Sequence, residues 1–371
     1  MKMLFQTKNV RILVTAMGFL FSVICNAENL PSKTQYRGAM IQPISFVKNN
    51  SVQVFGEIWN ANLVRWQLNF GFPNGPADTA SLKTYFNWLD GQLERFDNML
   101  PSLRQYGLKV CLDLHTPPGG RTVWTMNVFR DTYWQDAFVE VWEYIVNRYK
   151  DEQLIWGYDL LNEPNEGNRQ EIPAGVSDWR GLGLRTAKAI RKIDPDTSIV
   201  FESYLYGLPG GFKEFTVFDP EEIPNVVYSA HMYIPHIFTH QRENKDTTSY
   251  SYPGMIPPEQ WDTNQVYFDK EALRKELAPI IKLQQEQGAK IFIGEFGAVR
   301  FAPNNSTYCF MKDLIELFEE YGWDWAYHAF REWHAWNVEL DPSILSWTDK
   351  VAEKPTDVEL FIRDYFARNR K

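Results

Sequence analysis

Two glutamates stand where an apolar, strand-like run gives way to a loop. Ile155–Leu161 leads into Asn162-Glu163-Pro164, and Ile291–Gly294 leads into Glu295-Phe296-Gly297. A pair of carboxyl groups can cleave a glycosidic bond with retention. One donates a proton to the departing oxygen while the other attacks the anomeric carbon, across a gap of about 5–5.5 Å. Either acid alone could equally be a loop residue or a helix cap. Their matched positions set the pair apart, because each ends a run that reads as a buried strand. Further polar residues sit in or just after such runs: Arg65, His115, Glu202, and the pair His231 and Tyr233. The last two are two residues apart, so on a strand they face the same way.

The elements that must hold these residues alternate regularly. Strand candidates are 37–43, 63–70, 108–115, 155–162, 198–204, 225–233, 290–295 and 325–330, eight in all. Runs such as Val226-Val227-Tyr228 and Ile291-Phe292-Ile293 are continuously apolar, as in strands of a parallel sheet covered on both faces. Between them, apolar residues at spacings of three and four predict helices over 82–106, 134–149, 182–193, 273–285, 310–321 and 358–366. Gly107, Gly288 and Gly322 fall just past three of these, where a left-handed cap is expected. Eight strand–helix units with right-handed crossovers favour a single closed (β/α)8 TIM barrel of the α/β class over an open sheet. Both glutamates would then lie at the carboxyl-end mouth, where barrel active sites are built. Two long loops, 164–177 after the fourth strand and 235–268 after the sixth, would rise on the same face. The second carries His236, His240, Tyr250, Tyr252, Trp261 and Tyr267. Long loops within a compact domain are usually functional.

Composition narrows the partners. Lys2, Lys8 and Arg11 precede an apolar stretch, Ile12–Ile24, and a small residue at Ala27. This is the layout of a secretory signal peptide over residues 1–27, leaving 28–371 as one catalytic barrel domain of a secreted protein, extracellular or periplasmic. The stretch is shorter than the ~20 residues needed to span a bilayer. Losing those three cations takes the formal charge from −9 to −12. So acidic a chain is a poor partner for nucleic acid or an anionic membrane and is compatible with a neutral polysaccharide. The 14 Trp, 18 Tyr and 25 Phe exceed what a core needs, and sugar rings stack on exposed aromatics. Cys111 and Cys309 read as two buried free thiols, although a disulfide between them is open.

The ordered set of these residues resembles the cellulase family (family five) of retaining glycoside hydrolases, whose catalytic acids lie on strands four and seven. The resemblance spans nearly all of 35–335. It rests on Asn162-Glu163-Pro164, Gly294-Glu295-Phe296-Gly297, Arg65, His115, His231-Met232-Tyr233 and an aromatic region after strand eight. It implies Glu163 as general acid/base and Glu295 as nucleophile, with Arg65, His115, Asn162, His231, Tyr233 and Trp333 binding substrate. Within that set, Tyr233 would donate to Glu295 and Asn162 would hold the sugar 2-hydroxyl. The family's strand-eight Trp has two candidates here, Trp333 and Trp336, of which Trp333 is favoured. Glu202 is open between binding substrate and forming a salt bridge.

The expected activity is hydrolysis of a β-linked glucan or related polysaccharide, with an endo-β-glucanase favoured and a β-mannanase or exo-acting β-glucosidase as alternatives. A non-catalytic carbohydrate-binding barrel is the reading of another class, but it would be marked by loss of a strand-end glutamate. No metal or other cofactor is expected. With six histidines in all and neither His-x-His on strand one nor His-Glu-x-x-His, a metal hydrolase would have to use His115, His231 and an acid. A Gly-x-Gly-x-x-Gly loop, a P-loop and a Gly-x-Ser-x-Gly elbow are all missing. The carbohydrate substrate is the one partner expected, and the protein is read as a monomer.

Overall fold

Eight parallel strands close on themselves around a filled interior. In chain order they are β1 (Arg37–Ile41), β2 (Leu63–Gln67), β3 (Lys109–Asp113), β4 (Ile155–Asp159), β5 (Ser198–Glu202), β6 (Val226–Met232), β9 (Lys290–Phe296) and β10 (Asp324–Phe330). The two strands between, β7 (Gly254–Ile256) and β8 (Val266–Phe268), form a separate antiparallel pair. β10 pairs with β1 to shut the barrel. The computed structural model describes residues 34–46, 48, 50–69, 81–121, 125–167, 171–242, 249–258 and 264–369. The signal-peptide reading of 1–27 and the loop residue Trp261 lie outside them.

Alternation along the strands explains both layers of the core. Leu63, Cys111, Val200, Val227, Phe292 and Ala326 point inward from six strands and pack together as the floor of the barrel. Their immediate neighbours, such as Val64, Leu112, Phe201, Tyr228, Ile293 and Tyr327, point outward into the larger core shared with the helices. Two residues above the floor, the inward positions turn polar: Arg65, Asp113, Glu202, Ser229 and His328. β1 and β2 meet closely because position 38 has no side chain. A Cβ on Gly38 would lie 1.8 Å from the Leu63 carbonyl oxygen.

Helices run over Leu82–Gln105, Thr132–Tyr149, Trp179–Arg191, Ser306–Glu320 and Asp357–Phe366. The helix expected over 273–285 is two, Lys270–Glu276 and Ala278–Gln287, with Pro279 in the first turn of the second. Proline is tolerated there but not in the middle of one continuous helix. Gly107, Gly288 and Gly322 all adopt φ of 68°, as expected of left-handed residues just past a helix. After β1 and β5 there are only short turns of helix, at Pro43–Phe46, Ser51–Ile58 and Pro209–Phe212. The loop after β6 is not structureless, since it contains the turn His236–Thr239 and the β7–β8 pair. Cys111 and Cys309 are unpaired, and Cys309 is only half-buried.

Candidate active site

The polar layer above the floor is organised by one guanidinium. Arg65 is fully buried. Its Nε donates to Asp159 Oδ2 at 2.8 Å, Nη1 to Glu295 Oε1 at 2.6 Å, and Nη2 to Glu202 Oε1 at 2.7 Å and Asn162 Oδ1 at 3.1 Å. Asp113 Oδ1 lies 3.2 Å from Nη2. Burial disfavours any charge here, but four surrounding carboxylates outweigh it and hold Arg65 firmly cationic. Asp159 goes the other way. Burial, reinforced by Glu202 and Asp113, pushes its carboxyl well above the usual range despite Arg65.

Glu295, near the end of β9, receives the largest share of positive charge. Tyr233 donates its hydroxyl to Oε2 at 2.9 Å, and His328 Nδ1 lies 3.0 Å from the same oxygen and 2.6 Å from the Tyr233 hydroxyl. The other His328 nitrogen is 3.3 Å from Glu332 Oε2, which also accepts from Gln67 Nε2 at 3.0 Å. Burial would disfavour the imidazolium, but the two carboxylates flanking it raise His328 to about 10. Burial alone would also raise Glu295, yet His231, His328 and Arg65 together hold it well below the usual carboxylate range. It is an anion by construction.

Glu163 stands just past β4 with a backbone φ of 48°, in the left-handed region that non-glycine residues seldom adopt. Its amide donates to Glu202 Oε2 at 2.8 Å, so the acid on β5 fixes that turn. Its side chain is 24% exposed, against 5% for Glu295. Between the two stands His231, fully buried, with Nδ1 at 3.0 Å from Glu163 Oε1 and 3.7 Å from Glu295 Oε2, and Nε2 at 3.3 Å from Glu202 Oε1. The imidazole fits because Gly294 faces it, where a Cβ would lie 3.1 Å from Nε2. Burial opposes protonation of His231, but Glu202 and Glu295 pull it well above the ordinary value. One donor atom from each of Glu163, His231 and Glu295 lies within 4.8 Å of the other two. A metal ion could use such spacing, though it would have to displace the proton that Glu202 and Glu295 favour on the imidazole.

The sequence pattern of the cellulase family, glycosyl hydrolase family 5, matches residues 26–336. The chain belongs to that family. It is a glycoside hydrolase acting on carbohydrate. Endoglucanase C of Acetivibrio thermocellus is 28% identical over 297 residues, covering 75% of this chain and 82% of that one. Cellodextrinase A of Ruminococcus flavefaciens is 24% identical over 286 residues, covering 75% and 76%. Among solved structures, a glycoside hydrolase superposes with a TM-score of 0.67 at 23% identity, covering 91% of this chain and 100% of that one. Endoglucanase Cel5A of Thermotoga maritima superposes with 0.63 at 20% identity, covering 88% and 96%. Both share the barrel.

In this family 5 barrel, Arg65, Asn162, Glu163, His231, Tyr233 and Glu295 come together at the mouth. Arg65, expected among substrate contacts, is wholly enclosed by protein and touches two residues of the opening, Glu295 and Asn162. His115 stands one step out, its Nδ1 2.7 Å from Asp113 Oδ2 and so linked to Arg65 through that acid. Trp336 stacks on Tyr233 at 5.3 Å and 20°, and its Nε1 donates to the Thr239 carbonyl at 3.2 Å. Trp333 packs against its edge at 4.7 Å. Glu202 is fully buried and joins Arg65 to the Glu163 turn, which resolves its role in favour of the ion pair. His328, Glu332, Asp113 and Asp159 were missed from the sequence. Asp113 could have been found by alternation, since it lies two residues past inward-facing Cys111. Likewise His328 lies two past Ala326.

Proposed function

We propose that the protein is a retaining β-glycoside hydrolase cleaving a β-linked glucan or related polysaccharide by double displacement, with endo-β-glucanase action favoured. The carrying observation is the gap of no more than 4.8 Å between an oxygen of Glu163 and one of Glu295. Such an approach fits the ~5–5.5 Å carboxyl separation of retaining enzymes better than the ~6.5–9.5 Å that leaves room for an inverting water. Glu295 is the nucleophile, because its surroundings keep it ionised and enclosed. Glu163 is the acid/base, because it reaches solvent and must exchange a proton with leaving group and incoming water in turn. Its first transfer is to the departing glycosidic oxygen as Glu295 bonds to the anomeric carbon. In the second step it takes a proton from the water that releases the sugar.

Asn162, its Oδ1 engaged by Arg65, offers its amide nitrogen to the sugar 2-hydroxyl, and His115 and His231 flank the reacting ring. The engagement of Trp336 with Tyr233 and Thr239 favours Trp333 as the ring that meets sugar. Alternatives within the same chemistry are a β-mannanase or an exo-acting β-glucosidase. Secretion after removal of 1–27, and action as a monomer, complete the reading. No helix among the described residues is long and apolar enough to cross a membrane.

The test is product stereochemistry with two variants. Proton NMR should show the β-anomer first. Glu163→Gln and Glu295→Gln should each lose about 10²–10⁴-fold or more in kcat while remaining folded by circular dichroism. Azide should rescue Glu295→Gly with inverted product. Near-native turnover in either Gln variant, or an α-anomer from the unmodified enzyme, would reject the assignment.

A further inference from the structure

Beyond residue 336, where the family match ends, the chain builds a loop that the chemistry above does not need. That loop, 341–350, displays Trp347 with 71% of its surface exposed. It is nevertheless firmly held. Buried Arg300 spends its whole guanidinium on main-chain carbonyls: Nε on His334 at 2.9 Å, Nη1 on Asp341 and on Ile344 at 2.7 Å, and Nη2 on Ser346 at 3.1 Å. Asp341 also takes Lys350 Nζ at 3.0 Å, and the Asp341 amide donates to the Lys350 carbonyl at 3.0 Å, closing the loop at its base. An unanchored surface loop would bury such a ring or let it move. Here the main chain beneath a large, exposed aromatic is held in place, which removes part of the ordering cost of binding something flat.

A run of ring contacts connects it to the nucleophile. Tyr233, bonded to Glu295, stacks on Trp336 at 5.3 Å, and Trp336 meets Trp333 at 4.7 Å. Trp333 meets His334 at 5.4 Å, and His334 meets Trp347 at 6.4 Å. Each step is comparable to one pyranose ring. We propose that Trp347 is a remote sugar-binding platform that engages a β-linked glycan chain several units from the cleavage point. This rests on the proposed glycan-cleaving function and adds that the substrate is a long chain.

The test compares Trp347→Ala with the unmodified enzyme on a ladder of oligosaccharides, from disaccharide upward, and on soluble glucan and mannan. Losing one well-placed ring contact should raise KM on the longest oligosaccharides and on the polymer by roughly three- to tenfold. Values on the shortest substrates, and Tm, should stay unchanged, and Trp347→Phe should recover part of the loss. Equal KM for both enzymes at every length would overturn the platform, leaving the exposed ring for another protein. So would an equal loss at every length, which would mark a structural role. If the unmodified enzyme cleaves no substrate on the ladder, it is the proposed function that fails.

Discussion

Replacing His328 by Asn tests how the nucleophile is held. Asn can keep a nitrogen near the position of Nδ1 but cannot carry charge. At 3.0 Å and an effective dielectric of about 20, a full unit-charge interaction with Glu295 amounts to about 5.5 kcal/mol, which is a ceiling. Arg65 remains on the other carboxylate oxygen at 2.6 Å, so only part is lost. A charge-assisted hydrogen bond contributes about 1.5–3 kcal/mol, which predicts a fall in kcat/KM of roughly ten- to a hundredfold. The pH profile is the sharper readout. Glu295 is held well below its usual range partly by His328, so removing that cation must move the acid limb of kcat/KM to higher pH.

Stability should respond at the other end of the scale. His328 is raised from 6.5 to about 10, so its contribution is complete below about pH 6.5 and is lost as pH climbs through 10. It is on the order of a few kcal/mol. The Asn variant should lack this alkaline decline in urea denaturation. Rate profiles that superimpose, together with an unchanged alkaline slope, would refute the electrostatic account of the site.

Phe292→Ala should remove the largest ring of the barrel floor and cost about 3–5 kcal/mol, read as a lowered urea midpoint with activity retained in the folded fraction. Glu202→Gln should cost a comparable ~3–5 kcal/mol, because Arg65 and the protonated His231 lose a buried counter-charge. A change in unfolding free energy of under about 0.5 kcal/mol would show that Glu202 is not part of the buried network.

The barrel was legible because its signals are local. Val226-Val227-Tyr228 and Ile291-Phe292-Ile293 announce strands covered on both sides, and the glycines at 107, 288 and 322 mark where helices stop. The break at Pro279 was missed because the apolar spacing runs on across it. The short turns after β1 and β5 carry too few residues for any period to show. At the site, Glu163 and Glu295 stood out because each follows an apolar run directly. His328 did not, since a histidine among Trp325, Tyr327 and Phe330 looks like one more packed ring. Its importance comes from Glu295 and Glu332, which approach it from its two nitrogen edges, and that depends on closure of the sheet. The same holds for Asp113 and Asp159, whose common partner Arg65 lies 48 and 94 positions earlier in the chain.

A buried ionic cluster can often be exchanged for hydrocarbon of equal volume with a gain in stability. That route to a hardier protein is closed here. The spokes of the Arg65 hub run to four strands, and one of them is the carboxylate that must attack the sugar. Any repacking that relieves the hub of its charge disarms Glu295 at the same time. Improvement in thermal endurance therefore has to come from the outer shell of helices, where residues can change without the reacting group noticing.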